Sequence, residues 1–485
     1  MTIRDRVSGF LENRFARKIL RSFFSPLPSH YPENIIKRLK KVTELACREQ
    51  HTYKKLIEQE KTDIKSINTI ADFQNKIPIV SKKDIFTGES FKDFFMSTDA
   101  KVLHSISTSS GLTSDFAFGV QTKKENSFAH IFLENILLPF FNIQDGNLLF
   151  INCLSMGTHV QSRRFPCAQL SVRADSVVAV LKKAVHSFST IVILGEAFFL
   201  KKAMEDAREK GVRWDKCSIY LFNGGEFVSE YWRTYMTTLL QLPVDNSRGA
   251  VITGMGITEV DFIVFLESYF LSTLRRLIYN NNELVNDLCG PGTKSCPQIM
   301  HYFPDRHFVE TIKNSDGYSR LAVTTLDPHR VIPLIRYQTG DEVALLKEEK
   351  IISFCRKHGL VIREQFPRGL PVALVWGRPY RFQLPGGELL SDNEVKDSLF
   401  MDIDTAGKVT GNFRIERPLK KDPVAIHVQL RNGISNEASI HDTLYDSLSR
   451  YTNQPVKIQL YEYADFPYGI GHDFERKNIY YTRTD

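Results

Sequence analysis

Between about residue 100 and residue 375, short apolar runs alternate with segments that have the pattern of helices. GNLLFINC (146–153), STIVILG (189–195) and CSIYLFNGG (217–225) are typical of buried strands, and VVAVLKKAV (177–185) and EAFFLKKAMEDAREKG (196–211) are typical of helices. Such alternation indicates sheets and helices packed in layers. It is the strongest constraint on the fold, and it predicts a large α/β domain.

The pattern changes after Gly377. GNFRIERP (411–418), PVAIHVQLRNG (423–433), SIHDTLYDSLSRY (439–451) and QPVKIQLYEY (454–463) predict strand, strand, helix and strand. A small α+β domain of about 100 residues is large enough to fold by itself. We therefore predict a basic helical extension over 1–30, a large domain over 31–376 and a small, mobile domain over 377–485. A charged helix is expected from Glu33 to Gln59, and a long helical stretch within 257–288.

Length and composition limit the class of protein. The 485 residues exceed a single compact core, and no apolar run approaches the roughly 18–20 residues of a membrane span. The N-terminus lacks the layout of a signal peptide. Seven scattered cysteines argue against a disulfide framework and for a reduced, cytoplasmic compartment.

The net charge of +7 is concentrated near the N-terminus. Residues 1–60 hold 13 Lys or Arg and 7 Asp or Glu, a net of +6, so a surface built for nucleic acid is not expected. Val7, Leu11, Phe15 and Ile19 lie four apart and predict a helix. This helix either docks on its own domain or makes peripheral contact with a membrane surface or a partner.

Polar loops that follow predicted strands carry the candidate chemistry. SISTSSGLTSDF (105–116) crowds hydroxyls around a glycine, which suits either a plain loop or a phosphate-binding loop. Gly224, Gly225 and Glu226 follow an apolar strand, where α/β sheets open their ligand crevices. In GMGITEVDF (254–262), Gly256 permits close backbone approach, Thr258 can bond an anionic oxygen and Glu259 can hold Mg²⁺ beside phosphates.

Two further segments add charged groups. In PLIRYQTGDEVAL (333–345), a strand delivers Arg336 and Tyr337, and the turn presents Asp341, which can accept ribose hydroxyls. Gly377 and Arg378 can form a hinge, with the guanidinium reaching phosphate or ribose.

In this order the segments resemble the adenylate-forming superfamily, and within it the phenylacetate–CoA ligase-like branch. The resemblance runs from about Pro32 to the end of the chain, through STSSGLTSD, NGGEFVSEYWR, GMGITE, PLIRYQTGD and the Gly377–Arg378 pair. GMGITE has Met255 where the family has tyrosine, and PLIRYQTGD is the most specific single match. In this context we interpret the hydroxyl-rich loop as a pyrophosphate-binding loop.

The resemblance implies a fold like that of acyl-CoA synthetases and a two-step reaction. A carboxylate first attacks the α-phosphorus of ATP to give an acyl-adenylate, and a thiol, coenzyme A or a carrier-protein pantetheine, then takes the acyl group. Thr258 and Lys477 are expected to steady the reacting groups, and Glu259 to hold Mg²⁺. The small domain is expected to rotate about Gly377 between the steps. The implied nucleotide-binding residues are Thr108, Ser109, Ser110, Gly111, Thr113, Gly224, Gly225, Glu226, Gly256, Asp341 and Arg378.

The acid is not readable from the sequence. The residues expected to shape an apolar acyl pocket are Phe150, Asn152, Leu154, Met156, Met255 and Ile257. A carrier protein and a second copy of the chain are possible partners. Cys289, Cys296 and His301, with His307 as a fourth ligand, are either zinc ligands or ordinary buried side chains.

Some positions depart from the family pattern. Leu112, Ser114 and Asp115 change the phosphate loop, and a carboxylate there opposes pyrophosphate binding. Tyr380 and Arg381 replace the acidic pair expected after the hinge. These departures support one alternative, a non-catalytic nucleotide-binding protein with the same fold. The other alternative is an amide- or ester-forming acyl-adenylate synthetase in specialised metabolism or polysaccharide assembly.

Overall fold

The computed structural model describes residues 31–97, 99, 101–109, 116–126, 133–143, 146–155, 157–243, 246–384, 386–416, 423–469, 474 and 479–482. The predicted extension over 1–30 lies outside these residues. Among the described helices, none combines the length and the apolar composition that a membrane span requires.

The α-helices of four or more residues are α1 (Tyr31–Glu49), α2 (His51–Gln59), α3 (Ile70–Lys76), α4 (Lys82–Phe86), α5 (Ala174–Ala184), α6 (Ala197–Glu209), α7 (Glu230–Leu239), α8 (Tyr269–Ile278), α9 (Asn282–Cys289), α10 (Glu348–Lys357), α11 (Asp392–Phe400), α12 (Ile403–Ala406) and α13 (Ala438–Ser449). A π-helical turn lies at Leu133–Leu137, and three-residue helical turns lie at Ile64–Ser66, Phe91–Asp93, Leu138–Phe140 and Tyr463–Asp465.

The strands are β1 (Leu103–Thr108), β2 (Phe118–Thr122), β3 (Leu148–Asn152), β4 (Cys167–Gln169), β5 (Thr190–Gly195), β6 (Ser218–Asn223), β7 (Gly249–Ile257), β8 (Asp261–Leu266), β9 (Gln298–Tyr302), β10 (His307–Lys313), β11 (Ser319–Thr325), β12 (Tyr337–Leu346), β13 (Val372–Gly377), β14 (Arg381–Gln383), β15 (Leu389–Ser391), β16 (Val409–Glu416), β17 (Val424–Leu430), β18 (Val456–Tyr461) and β19 (Tyr481–Thr482).

One eleven-stranded sheet dominates the large domain, in the order β10-β11-β12-β13-β9-β8-β7-β6-β5-β3-β4. Strands β4, β3, β5, β6 and β7 run parallel, and the pairs from β7 to β10 are antiparallel. β3 and β5 are buried along their whole length, as expected for parallel strands covered on both faces. The α/β prediction is confirmed.

The small domain follows β13. β16, β17, α13 and β18 match the predicted strand, strand, helix and strand, and β19 completes a four-stranded sheet in the order β18-β17-β16-β19. The α+β prediction is therefore confirmed.

Two helix predictions were too long. The helix expected over 33–59 divides at Gln50, whose extended backbone (φ −121°) and side chain cap α2 by accepting from the Tyr53 amide. The stretch within 257–288 contains β8 and two helices, because Asn281 caps α9 by accepting from the amides of Glu283 and Leu284. In both places a polar side chain satisfies backbone donors that a continuous helix would have used internally.

The small domain shares an apolar core with the large one. A single cluster of buried side chains runs from α6 and α7 to α11 and β16. In it the Phe198 and Phe400 rings stack with centroids 5.9 Å apart, and the buried Lys201 donates to the Val409 carbonyl at 2.7 Å. The predicted rotation about Gly377 would separate these side chains.

Candidate active site

The turn between β7 and β8 carries Thr258 and Glu259. A Cβ at Gly256 would lie 2.3 Å from the carbonyl oxygen of Phe262, so the close pairing of these strands itself requires glycine here. Gly256 is exposed to solvent, whereas the Glu259 side chain, three residues later, is buried. The turn therefore fixes a carboxylate against the core.

Tyr337 holds that carboxylate. Its hydroxyl donates to Glu259 Oε1 at 2.7 Å, and the hydrogen bonds among the described residues engage only this oxygen of the pair. Burial and the adjacent Glu259 charge raise the pKa of Tyr337, so the phenol stays protonated and remains a donor. The contact of Tyr337 with Glu259 was not predicted, since the spacing of two distant segments does not reveal a contact.

Asp341 and Arg378 lie beside this pair. Gly340 (φ +85°) and Gly377 (φ +73°) adopt left-handed backbone conformations next to them. Arg378 Nε lies 3.1 Å from Asp341 Oδ1, and Nη2 lies 3.3 Å from Oδ2. Asp341, and then the charges of Glu259 and Tyr337, raise the pKa of Arg378. Four charged or polar side chains from three segments thus meet in one region.

The β1–β2 hairpin reaches the same region. A Cβ at Gly119 on β2 would lie 2.2 Å from the carbonyl oxygen of Thr258, so the hairpin packs directly against the β7–β8 turn. Thr108 ends β1, and the Ser109 hydroxyl accepts from the Ala117 amide at 3.0 Å and lies 3.4 Å from Lys82 Nζ. Ser110, Gly111 and Thr113 lie outside the described residues.

The Gly224–Glu226 segment follows β6, as predicted. Gly225 has φ +99°, which favours glycine, and a Cβ at Gly224 would meet the Gly254 carbonyl oxygen at an ordinary 3.7 Å. The Glu226 carboxylate accepts from the Tyr480 hydroxyl at 2.6 Å and lies 3.5 Å from Lys396 Nζ. Its partners belong to the small domain, and sequence reasoning missed both of them.

Lys477 lies outside the described residues. Tyr480, three positions later, contacts Glu226 through its hydroxyl.

The side chains expected to form an acyl pocket are largely used by the core. The Asn152 amide donates to the Thr158 carbonyl at 2.6 Å and to Gln169 Oε1 at 2.7 Å, so it orders the loop after β3. Phe150 and Ile257 are buried in apolar clusters, and Leu154 and Met255 pack against such clusters. Met156 lies outside the described residues.

The contacts of the residues proposed as zinc ligands do not support the zinc hypothesis. His301 is fully buried, and its two ring nitrogens contact Ser268 Oγ at 3.1 Å and the Leu370 carbonyl at 3.0 Å. Burial lowers the pKa of His301 to about 4. His307 pairs with Asp261 instead, at 3.1 Å. In the described part of the chain, no three His, Cys, Asp or Glu side chains gather to hold a metal.

A cleft of about 470 Å³ lies elsewhere, between α6, α7, α12 and Arg431. Its lining includes Glu205, Arg208, Tyr235 and Asp404, and none of the residues selected from the sequence. Glu205 is already paired with Lys201 at 2.6 Å and with Arg431 at 3.3 Å. The convergence around Glu259 is therefore the stronger candidate for chemistry.

Comparisons with known proteins give matches among solved structures. No protein-family model matches the sequence, and no curated protein is significantly similar to it. The structure of a 2-hydroxyisobutyryl-CoA ligase in the postadenylation state with 2-HIB-AMP has a TM-score of 0.67 at 15% identity, covering 94% of this chain and 90% of that chain. The same ligase in that state with R3-HIB-AMP gives 0.66 at 14% identity, covering 95% and 91%.

The TM-score differs between structures of this ligase in different states. The same ligase in its thioesterification state, with 2-HIB-AMP and CoA, gives a TM-score of 0.52 at 15% identity over the same shares, 94% and 90%. The chain therefore has the fold of these 2-hydroxyisobutyryl-CoA ligase structures.

Proposed function

We propose that this protein is an ATP-dependent, AMP-forming acid–thiol ligase of the phenylacetate–CoA ligase-like type. One observation carries the proposal: Glu259 with its Tyr337 partner, the Asp341–Arg378 pair and the β1–β2 hairpin converge on one region. A nucleotide needs these groups together, since hydroxyls and amides suit its phosphates and a carboxylate suits its ribose.

In this proposal the chain positions its substrates and neutralises charge. Asp341 accepts the ribose hydroxyls while Arg378 holds its carboxylate, which has lone pairs enough for both. Thr258 and Lys477 orient the acid and the α-phosphate, and Gly224 and Gly225 line the base. Adenylyl transfer relies on such positioning and on preorganised electrostatics more than on covalent catalysis.

The carboxylate oxygens of Glu259 suit magnesium as ligands. Mg²⁺ is usually held by one or two carboxylates together with substrate phosphates, so a single buried carboxylate with one oxygen fixed by Tyr337 fits. Bound there, the ion would neutralise phosphate charge. Glu259 would hold it, and Tyr337 would fix the direction of the carboxylate.

The test is acid-dependent exchange of radioactive pyrophosphate into ATP across a panel of carboxylic acids. We expect exchange with at least one acid, and a loss of a hundredfold or more in Glu259→Ala, because a preorganised electrostatic contact is worth that much. Glu283→Ala, an exposed glutamate on α9, is the matched control and should exchange normally. Exchange that Glu259→Ala leaves unchanged would remove the magnesium assignment.

The acceptor is settled by trapping. We expect coenzyme A or pantetheine to release the acyl group faster than an amine does. Faster release to an amine or hydroxyl would favour an amide- or ester-forming synthetase. No exchange with any acid would favour a non-catalytic nucleotide-binding protein, the alternative that Asp115 in the predicted phosphate loop supports.

We place this activity in the cytoplasm. All seven cysteines are free thiols, which suits a reducing compartment. We also propose three possible partners: a carrier protein as acyl acceptor, a second copy of the chain, and a membrane surface that residues 1–30 contact peripherally.

A further inference from the structure

We propose that Glu226, Lys396 and Tyr480 form a latch that holds the small domain against the nucleotide-binding segment, and that Glu226 acts through this latch rather than by contacting the base. The inference rests on the proposed function only for its effect on catalysis. The latch itself is defined by contacts of described residues.

The first step is the direction of the Glu226 carboxylate. It accepts from the Tyr480 hydroxyl at 2.6 Å and faces Lys396 Nζ at 3.5 Å. The Glu226 and Lys396 side chains are only 8% and 6% exposed, so this ion pair is largely shielded from water. Hydrogen bonds to charged groups are stronger than neutral ones, and burial increases their strength.

The second step is that each of the three latch residues contacts the other two. Lys396 Nζ lies 4.1 Å from the centre of the Tyr480 ring and 3.4 Å from Asp392 Oδ2. The phenol therefore donates to Glu226 while its ring faces the ammonium group. Each member contacts the other two, so removing any one leaves a buried polar or charged group with fewer partners.

The third step is the connection to the hinge. Asp392 Oδ1 accepts from the Tyr380 amide at 2.9 Å, just after the Gly377–Arg378 pair. The Tyr380 ring stacks on Tyr481 with centroids 3.6 Å apart. The latch thus joins the segment after β6, helix α11, strand β19 and the hinge.

The fourth step is that α11 is built for contact on all sides. All nine of its residues are buried, including four charged ones. Asp397 accepts from Tyr279, the residue after α8, at 2.5 Å and from Tyr451 at 3.0 Å. Asp397 of α11 is therefore held by a tyrosine from each domain.

Three variants test the proposal: Glu226→Gln, Lys396→Met and Tyr480→Phe. Tyr481→Phe is the matched control, since it removes a neighbouring hydroxyl and keeps the ring that stacks on Tyr380. Hydrogen exchange of the nucleotide-free protein is followed in peptides covering 222–230 and 391–400. We expect exchange there to accelerate about tenfold or more in all three variants and not in the control, in line with the loss of a charge-assisted hydrogen bond.

Two further readouts separate the latch from a direct base contact. The affinity for ATP, measured by equilibrium binding, should stay within about threefold of wild type in all three variants, whereas the rate of pyrophosphate exchange at saturating ATP should fall. The double variant Glu226→Gln/Tyr480→Phe should lose little more of the pyrophosphate-exchange rate than either single variant does, because both changes remove the same contact.

The proposal is overturned if peptide exchange in the three variants matches Tyr481→Phe. It is also overturned if Glu226→Gln alone weakens ATP binding while Tyr480→Phe and Lys396→Met do not. If no acid supports pyrophosphate exchange in the wild type, the proposed function fails, yet the hydrogen-exchange result still decides on the latch.

Discussion

At the scale of single residues, the contact between Tyr337 and Glu259 is the most informative. The two residues are 78 positions apart, and the phenol donates to the carboxylate at 2.7 Å. A tyrosine in an apolar strand normally suggests packing. Here it also fixes the direction of a carboxylate that we assign to magnesium.

Tyr337→Phe should slow pyrophosphate exchange tenfold or more and raise the magnesium concentration needed for half-maximal rate. The physical reason is that Glu259 loses a charge-assisted hydrogen bond worth about 1.5–3 kcal/mol. The measurement is exchange rate against magnesium concentration. Tyr302→Phe, at a ring that packs on Phe265, serves as control, and an identical magnesium curve for both variants would contradict the assignment.

At the scale of elements, α11 depends on a carboxyl group that titrates abnormally. Burial raises the pKa of Glu394 to about 7, although the carboxylate accepts from the Ser391 amide at 2.7 Å; Lys294 lowers this pKa and Asp397 raises it. Because the folded pKa lies above the usual value, the protonated form is favoured in the folded state. Its contribution to stability is therefore complete below about pH 4.3 and lost as the pH rises through 7.

Glu394→Gln should reduce the fall in stability between pH 5 and pH 8. Glutamine keeps the capping box with Ser391 and removes the titration. The measurement is the free energy of unfolding by urea across that range. The prediction fails if the variant shows the same pH dependence as wild type.

The contact of β16 with α6 leaves no room for a side chain. Gly411 has φ +95°, and a Cβ there would lie 2.6 Å from Cδ1 of the Phe198 ring. The ring stacks on Phe400 and cannot retreat without repacking the interface.

Gly411→Ala should destabilise the protein by about 2–4 kcal/mol, from left-handed backbone strain together with overpacking. Gly433→Ala is the matched control, because Gly433 has φ +81° but open space around its Cβ position. The difference between the two variants in urea unfolding isolates the clash. Equal destabilisation would show that the interface between β16 and α6 has room for the added methyl group.

At the scale of the whole molecule, the two domains share a core. The cluster that includes Val178 and Leu200 of the large domain continues into Leu399, Phe413 and Ile440 of the small one. Domains joined by such an apolar interface lose their separate stabilities, since unfolding either one exposes the surface of the other.

Calorimetry should therefore show one cooperative unfolding transition. A protein in which residues 377–485 move as an independent body would show two. The control is Phe198→Ala, which removes the ring between α6 and β16 and should lower the transition temperature or divide the transition. Two transitions in the wild type would contradict the shared core.

The sequence by itself determined the local structure and the order of the chemical groups. The apolar runs that became β3, β5 and β6 are short and rich in β-branched and aromatic residues, which favours strands over helices. The strand, strand, helix and strand of the small domain were likewise predicted from local pattern. Glu259, Asp341 and Arg378 were selected from motifs in the correct order, and the fold brings them together.

Only the tertiary structure decided which side chains contact one another. The pairing of Tyr337 with Glu259, the contact of His301 with Ser268, and the contacts of Glu226 with Lys396 and Tyr480 join segments 33 to 254 positions apart. Contacts at such separations depend on how layers pack and on which buried groups remain to be satisfied. That information lies in three-dimensional proximity and not in local spacing.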